Sequence, residues 1–162
     1  MAKIYRKDTI RCFFTDEQRE LIRDTGLGCR WVYNHFLKLF KEGKEMPFYN
    51  PMQKKMVSMK KGNETISRAD SIALQKTLFR LCCLYSRNSE GMEYLVPGEP
   101  ELWEYTTAPT NGGIKIVDEH IFIPKLQWVR MERSPIFNER PMKMEVRTHI
   151  PLRSDSVTLF WG

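Results

Sequence analysis

Apolar and polar residues alternate from Lys3 to Phe14, with Ile4, Ile10, Cys12 and Phe14 apolar and a basic character between them, which predicts a β-strand. Thr15-Asp16-Glu17-Gln18 then forms a capping-box pattern: the Thr hydroxyl accepts from an early helix amide, and Gln three residues on reaches back. The helix it opens carries Leu21 and Ile22 and is expected to stop at Gly26, a common C-terminal signal. A second helix is expected from about Gly28 to Glu42, with Val32, Phe36, Leu39 and Phe40 as its buried stripe. Between residues 43 and 66 the regularity weakens. Pro47 and Pro51 interrupt the pattern, and Lys54, Lys55, Lys60 and Lys61 surround Met52, Met56 and Met59, so a basic loop with a short helix is expected. A third long helix is expected to open at Ser67, with Asp70 completing a second capping box and Leu74, Leu78, Leu81 and Tyr85 on the buried side. Lys76, Arg80 and Arg87 fall on the opposite arc of that helix.

From Ser89 to Glu104 come Gly91, Pro97, Gly98 and Pro100 with five glutamates and no cation, which reads as a linker. Beyond it the period changes to two. Trp103–Thr107, Ile114–Val117, His120–Ile123, Leu126–Met131, Met142–Ile150 and Val157–Trp161 are short strand candidates, and Asn111-Gly112-Gly113 and Asp118-Glu119 mark turns. The fold expected from this order is α+β: a small oligonucleotide-binding-like β-barrel interrupted by an inserted helical bundle. The expected divisions are 1–14 for the first barrel strand, 15–88 for the helical insertion, 89–101 for the acidic linker and 102–162 for the rest of the barrel.

Charge sharpens this division. Residues 1–87 hold 18 Lys/Arg against 9 Asp/Glu, residues 88–119 hold one against seven, and the remainder holds seven against four. A basic first half suggests an anionic partner. Cys12, Cys29, Cys82 and Cys83 form no C-x-x-C pair, and His35, His120 and His149 lack metal-ligand spacing, so buried thiols and no metal are expected. No stretch approaches the ~20 apolar residues of a membrane span, and the start lacks a secretory leader, so a cytoplasmic location without a membrane partner is expected. No nucleophile–base pair or cluster of carboxylates stands out, so neither catalytic residues nor a cofactor is expected.

The wording of three blocks carries further information. Gly28-Cys29-Arg30-Trp31-Val32-Tyr33-Asn34, Asp70-Ser71-Ile72-Ala73-Leu74-Gln75-Lys76-Thr77-Leu78, and Ile121-Phe122-Ile123-Pro124-Lys125-Leu126-Gln127-Trp128-Val129-Arg130 preceded by Asn111–Ile116 resemble, in order, segments of TnpB. TnpB is the OrfB family of transposon nucleases related to type V CRISPR effectors. The resemblance implies a wedge-type barrel with an inserted recognition domain that cradles guide RNA and the guide–target hybrid through backbone and shape. It carries Arg30, Tyr33, Asn34, Lys76, Lys125, Trp128 and Arg130 over as nucleic-acid-binding positions. Lys41 and Arg80 join them as cations that could line the same channel. Trp128 reads equally well as barrel core.

Three departures from the family pattern stand out. The family's RuvC-like nuclease part would begin where the chain stops at Gly162, so the chain is not expected to cut nucleic acid by itself. A basic linker segment of the family is replaced by Glu90, Glu93, Glu99, Glu101 and Glu104, and a glycine before the tryptophan by Gln127. The expected function is a non-catalytic nucleic-acid-binding protein. Its ligand would be structured RNA of the guide-scaffold type or an RNA–DNA hybrid, and it would act as a decoy that competes for guide RNA, in the manner of an anti-CRISPR inhibitor. The alternative is a protein–protein module that binds an RNA-guided nuclease or pairs with a separate nuclease half. A helix-turn-helix DNA regulator is a weaker third reading.

Overall fold

The computed structural model describes residues 6–95, 102–110, 112–149 and 154–162. Its elements are β1 (Arg6–Phe13), α1 (Asp16–Lys41), α2 (Tyr49–Met59), α3 (Glu64–Ser67), α4 (Ser71–Arg87), β2 (Leu102–Thr107), β3 (Ile116–Val117), β4 (His120–Ile123), β5 (Gln127–Met131), β6 (Lys143–His149) and β7 (Asp155–Trp161). All six later strands appear where the alternation placed them, and the helices stand between the first strand and the rest. The fold class is α+β. The linker residues Glu99 and Glu101, the turn residue Asn111 and the strand end Ile150 lie outside the described residues.

The strands form one antiparallel seven-stranded sheet in the order β2-β6-β7-β1-β5-β4-β3. Arg6 to Arg11 pair with Trp161 to Ser156 of β7, after which Cys12 and Phe13 pass to Met131 and Arg130 of β5. Asp8, Ile10 and Cys12 are buried while their neighbours are exposed, as a strand with one wet face requires. Ile121, Ile123, Val129, Met131, Met144, Val146, Val157, Leu159 and Trp161 continue the buried row. The sheet is open, and the described pairings do not establish the expected oligonucleotide-binding-like barrel. β2 and β3 are its edges, and β3 offers only two residues for pairing, too little to close a ladder onto β2.

Two buried carboxylates hold this unit. Asp155 accepts from Arg19 (2.5 Å) and from the Thr148 hydroxyl (2.6 Å), tying the first turns of α1 to the sheet. Asp8 accepts from Arg133 (2.6 and 2.9 Å) and from the Ile136 amide (3.1 Å). The capping box forms as expected: Gln18 N–H donates to Thr15 Oγ1 and Thr15 N–H to Gln18 Oε1. Gln18 Nε2 also donates to the carbonyls of Leu126 and Trp128, so the cap fixes the start of β5 as well.

From Asp24 onward α1 packs with α2–α4 as a second compact unit. Here the glycine pair overturns the expected stop. α1 is continuous through Gly26 and Gly28, with no turn between two helices. A Cβ at Gly28 would stand 2.6 Å from Ala69 Cβ and 3.1 Å from the Thr65 carbonyl, so the missing side chain lets α1 approach the α3–α4 connection. Close packing, not chain reversal, is what Gly28 supplies. The third long helix begins at Ser71, four residues later than expected. Asp70 is its N-cap, accepting from the amides of Ile72 and Ala73, while the Ser67 hydroxyl donates within α3. Pro51 sits in the first turn of α2, where its missing N–H costs little, and Met52 and Met56 join Val32, Phe36, Leu37, Phe40, Ile66, Leu74, Leu78 and Leu81 in the core.

Gly28→Ala should reverse the usual sign of that change. In an uncrowded helix Ala would stabilise by about 1 kcal/mol, but overpacking against Ala69 and Thr65 should give a net loss of about 1–3 kcal/mol, read from the urea midpoint. Asp8 provides a pH test. Its hydrogen bonds to Arg133 hold its carboxyl below the ordinary carboxylate value. The stability it contributes is therefore complete above about pH 4 and is lost as pH falls through the lowered folded value. Asp8→Asn should flatten that acid limb of the stability curve.

Candidate nucleic-acid interface

The outward face of the sheet follows from register, because directly opposite residues in antiparallel strands share a side. Phe13 lies opposite Arg130, Arg130 opposite His120, and Trp128 opposite Phe122. Two residues along β1 from Phe13, Arg11 shares its face. Phe13 is 45% exposed and Trp128 44% exposed. The Arg11 and Arg130 guanidinium carbons stand 5.8 and 5.4 Å from the Phe13 ring centre, and Trp128 meets Phe122 edge-on at 5.6 Å. Among the described residues neither Arg11 nor Arg130 has a carboxylate partner. Two guanidinium groups thus flank one ring without an ion pair of their own, with Glu132, whose amide donates to the Arg11 carbonyl (2.8 Å), as the neighbouring carboxylate just past β5. Further along the same face, the Lys143 nitrogen stands 5.2 Å from the Phe160 ring centre. At the β2–β6 end the pattern changes, because Arg147 is neutralised by Glu104 (2.8 Å) and Glu145 (3.0 Å).

Of the sequence-predicted residues, Trp128 and Arg130 sit on this face, and Trp128 is not core. Lys125 is exposed in the β4–β5 turn with φ +71°, and Gln127 follows with φ +67°. The glycine of the family pattern thus corresponds to a position whose backbone is left-handed, which Gln127 adopts at a cost. Phe13 and Arg11 are not among the sequence-predicted residues; the signal for them is the outward-facing half of the β1 alternation.

The helical residues present a different picture. The amide of Asn34 bonds the backbone of Leu95 in both directions, donating from Nδ2 (3.2 Å) and accepting at Oδ1 (2.8 Å). Tyr33 donates to the Glu93 carbonyl (3.4 Å), and the Lys41 nitrogen stands 5.1 Å from the Tyr94 ring centre. Met92, in the same segment, is buried in the helical core. The described part of the acidic segment is therefore fastened along α1. Arg80 is exposed on α4, and Arg30 and Lys76 are half-buried. The fastening residues and the cations share helices, but Tyr33 and Asn34 spend their polar groups on the chain itself.

Burial pushes the Cys12 thiol up to about 12 and the Cys82 thiol to about 11, so neither is a ready nucleophile at neutral pH. His35 stacks on Trp31 at 4.5 Å and is shifted down by burial, then by Lys55 and Lys38. Among the described residues no group of three or more His, Cys, Asp or Glu side chains could hold a metal ion, and no helix is long and apolar enough to cross a membrane.

Residues 1–44 match the family model described as a helix-turn-helix domain, of the OrfB kind. The N-terminal part of the chain is therefore of TnpB/OrfB type, as the block around Arg30–Asn34 implied. In this chain the helical portion of the matched stretch is the single helix α1, preceded by β1. No curated protein matches the chain.

Asn34→Ala should remove both bonds to Leu95, costing about 1–2 kcal/mol and accelerating amide exchange at Leu95. Asn34→Asp, which keeps the acceptor, should retain part of that protection.

Proposed function

We propose that the chain binds nucleic acid through the outward sheet face centred on Phe13, Arg11, Arg130 and Trp128. The observation that carries this is the pair of guanidinium groups flanking an exposed ring, neither of them in an ion pair among the described residues. Phosphates would neutralise the guanidinium groups, and the rings offer stacking surfaces to bases. The OrfB-type match of the N-terminal residues supports a nucleic-acid partner in general.

Within that class the chemistry favours RNA with unpaired bases over duplex DNA. Bases in a duplex are already stacked and turn only their edges outward, whereas loops and single strands can lay a base on an aromatic ring. The resemblance to TnpB suggests guide-scaffold RNA as the ligand, on a sheet that would act as a partly open oligonucleotide-binding barrel. A protein that retains such RNA without cutting it would compete with RNA-guided nucleases for their guides, which is the decoy role. The reading as a module that inserts its acidic segment into a nuclease lacks an observation in its favour, since Glu93 to Leu95 are bonded to α1.

Fluorescence polarisation with a labelled stem–loop RNA tests the interface. Replacing Arg11 and Arg130 together by Ala should weaken binding at least tenfold and lower the salt-dependence slope by roughly 1.5, the share of two phosphates. Unchanged affinity and slope would remove the interface. Sequencing the RNA recovered with the native protein tests the scaffold ligand and the decoy role.

A further inference from the structure

Beside the sheet face lies a cleft of about 590 Å³ between the β3–β4 hairpin and the segment 134–141. Its walls include Lys115, Trp128, Ser134, Phe137, Asn138 and Arg140. The volume falls in the range of small-ligand sites. The wall formed by 134–141 is irregular in backbone yet firmly held. The Ser134 hydroxyl donates to the Asp118 carbonyl (3.0 Å), the Ile136 amide to Asp8 (3.1 Å), and Trp161 Nε1 to the Glu139 carbonyl (2.8 Å). Phe137 packs edge-on against Trp161 at 4.8 Å. Such a loop is set in place before any ligand arrives.

Against that rigid frame, the side chains of Lys115, Asn138 and Arg140 have no hydrogen-bond or ionic partner among the described residues. One wall thus supplies an aromatic ring, Trp128, and the rim supplies two cations and an amide without such partners, beside Asp118 and a Glu139 already paired with Arg6. We infer that this cleft is a nucleotide pocket, which takes one unstacked nucleotide of a bound strand. The base would lie against Trp128, Asn138 would bond its edge, and Lys115 and Arg140 would hold the adjoining phosphates. An amide carries both donor and acceptor and so can read a base edge, which a cation alone cannot. Trp128 belongs to both the cleft and the outward face, so a strand crossing Phe13 and Arg130 arrives at the cleft mouth.

The pocket rests on the nucleic-acid reading above, and the experiment separates the two. A labelled single-stranded RNA that the full chain retains is scanned with one abasic site at a time. One position should stand out, its base removal weakening binding about tenfold. Trp128→Ala should cause a similar loss and abolish the difference between intact and abasic strands. Because Trp128 is also part of the outer face, Asn138→Ala combined with Arg140→Ala supplies the second arm. Both residues are exposed and make no hydrogen bond or ion pair among the described residues, and their replacement, in a variant whose urea midpoint is checked because Arg140 lies over Gly113, should flatten the scan in the same way. A flat scan in the unmodified protein, or a scan that the Asn138/Arg140 variant leaves unchanged, overturns the pocket. If Arg11→Ala/Arg130→Ala still weakens binding in that case, the interface stands without the pocket. Failure of the chain to retain any strand removes both.

Discussion

The sheet depends on β1 holding one register with two neighbours at once. Its residues Arg6–Arg11 are paired with β7 and its last two with β5. Because side chains alternate, a slip of one residue would turn Ile10 and Cys12 to solvent and drive Arg11 and Phe13 into the core. Burying an unpaired guanidinium costs several kcal/mol, so the slipped state is heavily disfavoured. The same constraint that builds the core therefore assembles the exposed face. Arg11, Phe13, Arg130 and Trp128 share a side because the apolar residues between them must share the other.

The buried carboxylates act on this register from outside the ladder. Asp8 faces inward on β1, where an unpaired charge would be costly, and Arg133 with the Ile136 amide satisfies it. That pairing fixes the chain after β5 and so defines one wall of the cleft. Asp155 does the equivalent for α1, by taking Arg19 and Thr148 together. Local polar satisfaction and the placement of the candidate side chains are thus consequences of the same bonds.

Much of this was legible in the amino-acid order, for identifiable reasons. Strands with one buried face announce themselves by period, and Thr15 and Gln18 made a cap whose partners lie three residues apart. The misreadings share a different cause. Gly26 and Gly28 match a helix stop locally, but what decides Gly28 is Ala69 and Thr65, about forty residues away. Tyr33 and Asn34 look available on a helix face until Glu93 and Leu95 take their polar groups. The pairing length of β3, two residues, is likewise something alternation alone does not set. Arg11 and Phe13 went unnoticed because the polar face of a strand is read as solvent by default.

The two ends of the outward face differ in a way that bears on what it contacts. Near β2 and β6, Arg147 already has Glu104 and Glu145, so a phosphate there would gain little and would face two carboxylates. Near β1 and β5, Arg11 and Arg130 lie beside one another around Phe13. Their mutual repulsion is offset only in part by the ring. A bound anion would relieve that repulsion as well as contribute its own attraction. An apolar protein surface docking on Phe13 and Trp128 would instead have to desolvate both guanidinium groups without compensation, so the arrangement favours a polyanion.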